Sequence, residues 1–556
     1  MAITTDRRGA LGLLGASGAL ALPGCATIPD DFGPVRFAHG VASGDPAADG
    51  AVIWTRISVG DTVSSDVPVR WHVSAAAGDE PVASGSAIAA VSADRTVKVE
   101  LAGLQPGRDY WYRFEGPDGN FSPEGRFRTL PVGAVRDVVF AIASCQLYPG
   151  GYFNAYADMA RLDRLDAVLM LGDYIYEYGQ EGYGGEIGRQ LGRLLDPPHE
   201  ITTLDHYRRR HAQVKADPDM QAAHARAAFI CVWDDHETAN DSWIGGAQNH
   251  QSETEGNWQS RKAAAMQAYF EWMPIRSPAA GSGREAIYRS FEFGNLASLA
   301  MLETRLVART KPVEYDGETG DGAAYARLLT QIADKDRELV GRNQQEWLEK
   351  VLSGSVAAGK RWQIVANQVI MARVTGPDLE AGLGKEAYDT FHAKLPPIWQ
   401  GNITAAQAGF RAGLPFNLDA WDGYPAARDR LLKSLRSTGA QAIVLAGDSH
   451  AGWANNLHDD AGNFVALEAG CTAVTSPSYG SLLPGIGRYI EQSSEEVVYC
   501  NQDLKGYSLL TLTSESATVE FVTVSTVLAR DFSRNVDRSF AAGVGSSFGP
   551  WHPAAA

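Results

Sequence analysis

Six short apolar runs, each the length of a strand, constrain the fold of this chain more tightly than any other feature. They are "DVVFAIASC" (137–145), "LDAVLMLGD" (165–173), "AAFICVWDD" (227–235), "LASLAMLET" (296–304), "RWQIVANQV" (361–369) and "AQAIVLAGD" (440–448). Continuous rather than alternating apolar residues belong to strands buried on both faces, as in layered α/β domains. Helix candidates such as "RNQQEWLEKVLSGS" and "ARDRLLKSLRSTG" fall between them, so the region from about 132 to 530 reads as an α/β or α+β domain.

Four of these runs end in side chains that bind metals: Ser-Cys-Gln at Cys145, Gly-Asp-Tyr-Ile-Tyr from Gly172, Asp-Asp-His-Glu from Asp234, and Gly-Asp-Ser-His from Gly447. In open α/β sheets ligands gather at the carboxyl ends of the strands. A single Asp in that place reads as the cap of the next turn or helix. Four such endings, offering carboxylate, thiolate, phenolate and imidazole, read together as one site.

The donor types indicate the metals. Asp173, Asp235 and Asn240 are hard oxygen donors suited to Ca²⁺, Mg²⁺ or Mn²⁺. A Cys145 thiolate beside a Tyr176 phenolate demands a strong Lewis acid and favours Fe³⁺. Two sites sharing Asp173 would make a binuclear centre of the kind that activates water for attack on phosphorus. Tyr174 and Tyr178 read as packing residues, and Glu177 has no assigned role.

Upstream, residues 34–131 alternate apolar and polar positions between Gly, Asp and Pro clusters, as an all-β sandwich of fibronectin III or Ig type would. "GLQPGRDYWYRF" suits a corner of such a sandwich. Residues 531–556 have a weaker pattern and read as a tail, a candidate lid over the site. At the other end, "TTDRRGALGLLGASGALALPGC" has a basic head and 14 apolar residues from Gly9 to Leu22. That is shorter than the ~20 needed to cross a bilayer as a helix, so residues 1–25 read as a signal peptide with Arg7-Arg8 as a twin-arginine motif. "LPGC" suits a lipobox that would make Cys25 a lipid anchor; cleavage nearby with a soluble product is the alternative. The expected location is the periplasm or cell envelope.

The motifs, taken in order, resemble those of the PhoD-like alkaline phosphatase/phosphodiesterase family: "FAHGVASGDP", "VIWTR", "SCQ", "LGDYIYEYG", "VWDDHETAND", "YFEWMPIR", "LETR" and "LAGDSH". The resemblance implies a metallophosphoesterase-like αββα sandwich behind the β domain, with Fe³⁺ and Ca²⁺ at its centre. It implies that Cys145, Tyr176 and Asp448 lie at the iron, that Asp173 bridges, and that Asp235, Asn240 and His450 lie on the calcium side. Asp234 and Asp235 are interchangeable at this stage. His236 would face the phosphate and protonate the leaving oxygen or steady charge. Arg305 follows a strand and reads as a phosphate ligand or as a buried ion pair. The chain departs from the family's usual pattern at Met170 and Ser449.

Among lesser candidates, Asn367 reads as a ligand or a satisfied strand residue, and His39 as a domain-interface residue. Cys231 reads as a buried thiol, while Cys471 and Cys500 have no spacing that argues for pairing. The balance of 49 basic against 66 acidic residues gives a net charge of −17, which disfavours nucleic acid as a stable partner. The expected function is hydrolysis of small phosphate esters by an exported, metal-dependent enzyme. The alternatives are a phospholipase D-like or teichoic-acid-type diesterase and a non-enzymatic envelope-binding module with structural metals.

Overall fold

The computed structural model describes residues 32–554 apart from 61, 279–282 and 315–321. The signal-peptide and Cys25 expectations therefore lie outside the described residues. All six apolar runs form strands, and they divide equally between two large sheets. In a ten-stranded sheet, Asp137–Ala143, Ala167–Met170 and Ala228–Cys231 run parallel side by side. In a seven-stranded sheet, Ala297–Met301, Trp362–Ala366 and Ala442–Ala446 do the same.

The two sheets face each other. One apolar cluster takes in Phe140, Ile142 and Leu169 from the first sheet and Leu299, Ile364 and Leu445 from the second. The rings of Phe140 and Phe293 meet edge to face at 4.9 Å across this layer. Each such fully buried side chain contributes about 1.5–3 kcal/mol of hydrophobic transfer. On the other face of the second sheet lie the helices Gly341–Ala357 and Pro425–Thr438. The latter begins with Pro425, whose fixed φ suits a first helical turn, and ends at Gly439 in the left-handed region. Leu431 and Leu435, four apart, share the face turned to the sheet. Trp347, half-buried, packs against the same cluster.

The seven strands of the N-terminal region lie in two sheets that share one apolar core, with Ile53 and Val97 on one side and Val69, Val73 and Phe127 on the other. Four of its strands, Pro81–Ala89, Val67–Ser74, Asp109–Glu115 and Gly125–Arg128, make a separate sheet. The other three, Val41–Ala47, Gly50–Arg56 and Thr96–Glu100, extend the ten-stranded sheet. The join is parallel, with Gly44 opposite Phe229. A Cβ at Gly44 would lie 2.4 Å from the Phe229 carbonyl oxygen and 2.3 Å from that of Pro274, so only glycine permits the approach. His39 closes the same junction, its ring against Trp272 at 5.2 Å, in the interface role expected of it.

The tail is also sheet rather than lid. Arg534–Gly543 pairs antiparallel with Ser516–Val524 at the far side of the ten-stranded sheet. Beyond it, the buried indole of Trp551 donates to the Glu468 carbonyl at 2.9 Å. The pattern looked weak because an outer strand keeps its first half exposed.

Candidate metal centre

The strand ends meet where the two sheets face one another. Leu171 N donates to Ala143 O and Val232 N to Met170 O in one sheet, and Gly447 N to Gln368 O in the other. Past these ends the backbone turns sharply, and Cys145, Asp173, Asp448 and His450 all have φ near +57°. For residues with a Cβ, that conformation costs about 1–3 kcal/mol and persists only where the surroundings enforce it. Here they do. The Glu237 carboxylate accepts from the backbone N–H of Asp173 (3.1 Å), Tyr174 (2.5 Å) and Asp234 (2.7 Å). Gly172 lets two loops touch, since a Cβ there would stand 2.3 Å from the Asp234 Cβ.

Three overlapping groups of donors result: Cys145, Asp173 and His450; Asp173, Asp235 and His236; and Asp234, Asp235 and Asp448, each with donor atoms within 4.8 Å of one another. Asp173 belongs to two of them. The Tyr176 hydroxyl donates to Asp173 Oδ2 at 2.8 Å and stands 3.4 Å from His450 Nε2 and 2.7 Å from Ser476 Oγ.

His450 is grouped with Cys145 and stands near Tyr176, and Asp448 is grouped with Asp234 and Asp235, whereas the resemblance put Asp448 on the iron side and His450 on the calcium side. Asn240 is in none of the three groups; its amide nitrogen donates to Gln248 at 3.2 Å and its backbone N–H to Glu177 at 2.8 Å.

The cluster carries more negative charge than its neighbours neutralise. Asp173 Oδ1 and Asp234 Oδ2 are buried and have no hydrogen-bond partner, a condition native structures rarely tolerate without an ion or water. Burial pushes the Asp173 carboxyl well above the usual carboxylate range, with Asp235 and Asp234 adding to it. Burial, then Asp234, does the same to Asp448. The Cys145 thiol is raised by burial and by Asp173. Burial lifts Asp234 to about 6 against the pull of Arg305. Asp235 is the exception: Arg305 and His236 overcome its burial and hold it at about 2. A buried set of carboxylates with thiol, phenol and imidazole beside them, two oxygens orphaned, fits bound cations.

A pH dependence follows for metal-free protein. Asp234 has a folded value of about 6 against 3.8 unfolded, so the folded state holds the extra proton between those limits and loses stability as pH rises through them. Thermal melting at pH 4, 5 and 6 should show a downward trend relative to Asp234→Asn, and added divalent cation should remove the difference. Equal slopes in wild type and variant would refute this.

His236 has a clear orientation. Its Nδ1 is 2.7 Å from Glu177 Oε2, and Glu177 Oε1 accepts from Asn240 N and Asn249 Nδ2. This leaves Nε2 for the cluster, the arrangement by which a carboxylate fixes a histidine's tautomer. Burial opposes the imidazolium, but Asp235, Glu177 and Asp173 outweigh it and raise the pKa. In His450, by contrast, burial pulls the value down to about 3.

Arg305 is an ion-pairing residue rather than a phosphate ligand. Its guanidinium is wholly buried and forks among Asp234, Asp419 (2.7 Å) and Asp448 (3.3 Å), with Asp235 at 3.8 Å. Asn367 is likewise satisfied, donating to Leu445 O and accepting from Trp421 Nε1, both at 2.9 Å. Cys145, Cys231, Cys471 and Cys500 are all free and buried; Cys471 approaches Ser144 Oγ at 3.3 Å, beside the site. Tyr174 packs as expected, its hydroxyl 2.9 Å from His224.

Sequence reading left Glu177 without a role, took Glu237 only as part of the Asp-Asp-His-Glu cluster, and missed Asp419, which holds Arg305 from 114 residues away. Glu177 had a signal: it stands four residues after Asp173 on the same loop.

Comparison with known proteins supplies the family. The profile described as PhoD-like phosphatase matches residues 140–521, and that of the PhoD-like phosphatase N-terminal domain matches residues 24–131. Alkaline phosphatase D of Bacillus subtilis (strain 168) is 34% identical over 506 residues, covering 87% of this chain and 76% of its own. A solved structure described as "Structure of PhoD" superposes with a TM-score of 0.76 at 31% identity, over 94% of this chain and 92% of its own. These matches run through all four strand endings that build the cluster, and the chain belongs to the PhoD-like phosphatase family.

Proposed function

We propose that this phosphatase hydrolyses phosphate esters at a mixed iron–calcium centre, as an exported envelope or periplasmic enzyme. The observation that carries the metal reading is the pair of orphaned carboxylate oxygens on Asp173 and Asp234, buried beside a thiol and a phenol. Cys145, Tyr176, Asp173 and His450 would hold Fe³⁺, because thiolate and phenolate need a strong Lewis acid. Asp235 and Asp448, with Asp173 shared, offer oxygen donors suited to Ca²⁺. When bound, the metals supply Lewis acidity that acidifies a water and draws charge from the phosphoryl oxygens.

The remaining work falls to this chain's own residues. Glu177 holds Nδ1 of His236, so that Nε2 can carry a proton toward the leaving oxygen or steady charge on the phosphoryl group. Glu237 fixes the backbone of Asp173 and Asp234, and Arg305 spaces the carboxylates. Two facing sheets with helices on the outside of the second agree with a metallophosphoesterase-like αββα layering. Export rests on Arg7-Arg8 and the apolar stretch after them, and Cys25 is the candidate lipid anchor.

Purified protein should be coloured by phenolate- and thiolate-to-iron charge transfer and should hydrolyse p-nitrophenyl phosphate. Tyr176→Phe should remove the phenolate part of the visible band and lower activity about tenfold or more, while far-UV circular dichroism stays unchanged. Tyr176 is 3% exposed and its hydroxyl also serves Asp173 and Ser476, so the removed oxygen leaves little space. An unaltered visible spectrum would exclude Tyr176 as an iron ligand.

A further inference from the structure

A second buried thiol, Cys471, stands near Cys145 without joining any of the three donor groups. It follows the strand Phe464–Gly470 of the seven-stranded sheet, and Ser144 follows Asp137–Ala143 of the ten-stranded sheet. Between the sheets the three side chains form a chain of contacts. Cys471 Sγ lies 3.3 Å from Ser144 Oγ, which lies 3.2 Å from Cys145 Sγ. All three residues are at most 1% exposed. Among the described residues these two sulfurs are the only hydrogen-bond partners of the Ser144 hydroxyl. Backbone bonds fix both ends: Val474 N donates to Ser144 O at 3.0 Å, and Cys471 N to Ala446 O at 2.9 Å. Gly447 makes room for the hydroxyl, since a Cβ there would stand 2.9 Å from Ser144 Oγ.

The direction of these bonds follows from the protons available. As a thiol, Cys145 donates to Ser144 Oγ. As a metal-bound thiolate it has no proton, so the contact survives only with the hydroxyl donating to sulfur. Ser144 Oγ is then free to accept, and Cys471 is the partner that can donate to it. Burial pushes the Cys471 thiol up to about 12, which keeps that proton in place.

We propose that Ser144 and Cys471 form a relay to the iron ligand, the Cys471 S–H donating to the Ser144 hydroxyl and that hydroxyl to the Cys145 sulfur. The relay damps electron donation by the thiolate and tunes the Lewis acidity of the ion it holds. The inference rests on the iron reading above and adds two positioning residues, neither of which touches substrate. A hydrogen bond draws charge from a ligating sulfur, and bonds of this kind shift the potential of a thiolate-bound metal. Weaker donation favours Fe²⁺ over Fe³⁺ and leaves the ferric ion a stronger acid toward water and phosphoryl oxygens.

The test uses the metal-loaded full chain, with iron content measured for each variant. Two readouts report on the sulfur: the thiolate-to-iron part of the visible band and the midpoint potential of the Fe³⁺/Fe²⁺ couple. Ser144→Ala should move the band to longer wavelength and lower the potential. The expected size is the equivalent of about a tenfold change in the Fe³⁺/Fe²⁺ affinity ratio, the lower end of what a partner behind a ligand commands. Cys471→Ala should shift both readouts in the same direction by less, with iron content unchanged. Each substitution deletes one side-chain atom and leaves the backbone bonds in place. The double variant should match Ser144→Ala alone, because Cys471 acts only through the hydroxyl. An unchanged band and potential in Ser144→Ala, or shifts that add in the double variant, would overturn the relay. Loss of iron from Cys471→Ala would overturn it too, by making Cys471 a ligand. Wild type that takes up no iron and shows no charge-transfer band would remove the iron reading and the relay with it, a result distinct from any of these.

Discussion

Replacing Asp173 with Asn should reduce phosphatase kcat/KM by about 10³ or more. Charge stabilisation at a two-metal site is worth several kcal/mol, and each 1.36 kcal/mol is a factor of ten. Asp173 is where that loss concentrates, because it belongs both to the group with Cys145 and His450 and to the group with Asp235 and His236. Asn keeps the shape and can still accept from the Tyr176 hydroxyl, but it removes the charge that two cations would share. Stability separates a lost ligand from a damaged fold. In metal-free wild type the Asp173 carboxylate is buried with one oxygen unpaired, a burden of about 1–3 kcal/mol. The metal-free Asn variant should therefore melt no lower than metal-free wild type. Metal should then raise the melting temperature of wild type far more than that of the variant. Equal stabilisation by metal, or a variant that retains more than a tenth of the activity, would remove Asp173 from the bridging position.

Much of this site was legible in the sequence because the information was local. Each strand ending carries its donors within a few residues of an apolar run, and six runs of the same kind implied parallel strands whose carboxyl ends lie together. What the sequence concealed was set by contacts between distant segments. The grouping of Asp448 and His450 was not legible because both have φ near +57°, so residues two apart point in directions that regular strand geometry does not predict. Asn240 was chosen for its residue type, and the contact its backbone N–H makes with Glu177 was not foreseen. That one sheet of the N-terminal sandwich continues into the ten-stranded sheet was hidden, because alternation shows which face is buried, not which neighbour takes the edge. In hindsight the burial of Gly50–Arg56 on both faces matched the unbroken apolar start of "AVIWTRIS", which suits a central strand better than an outer one. The role of Arg305 depended on Asp419, more than 100 positions later, which no local pattern could supply.

That ion-pair hub carries the second large expectation. Arg305→Met should destabilise the metal-free protein by about 3–5 kcal/mol, the usual cost of removing one partner from a buried charge network. Methionine fills much of the same volume, so the loss should come from charge and not from a cavity. Arg305 neutralises part of the charge on Asp234, Asp235, Asp419 and Asp448 at once, and among the described residues Asp419 alone of the four has an ion pair with a second arginine, Arg309. The pH dependence tests the mechanism. Asp235 is held at about 2 in the folded protein against 3.8 unfolded. Its favourable contribution is thus fully present above 3.8 and lost as pH falls toward 2. Without Arg305 much of that contribution disappears, so the gap between wild type and variant should be widest near neutral pH and should narrow toward pH 3. A merely steric defect would leave the gap constant. Bound cations can replace part of the missing positive charge, and saturating metal should recover some stability while affinity for the metals falls about 10–100-fold, as for other residues that orient ligands. Arg305→Lys should rescue only in part, since one ammonium cannot reproduce a fork shared among several carboxylates. A pH-independent gap together with unchanged metal affinity would show that Arg305 supports the fold alone and does not tune the centre.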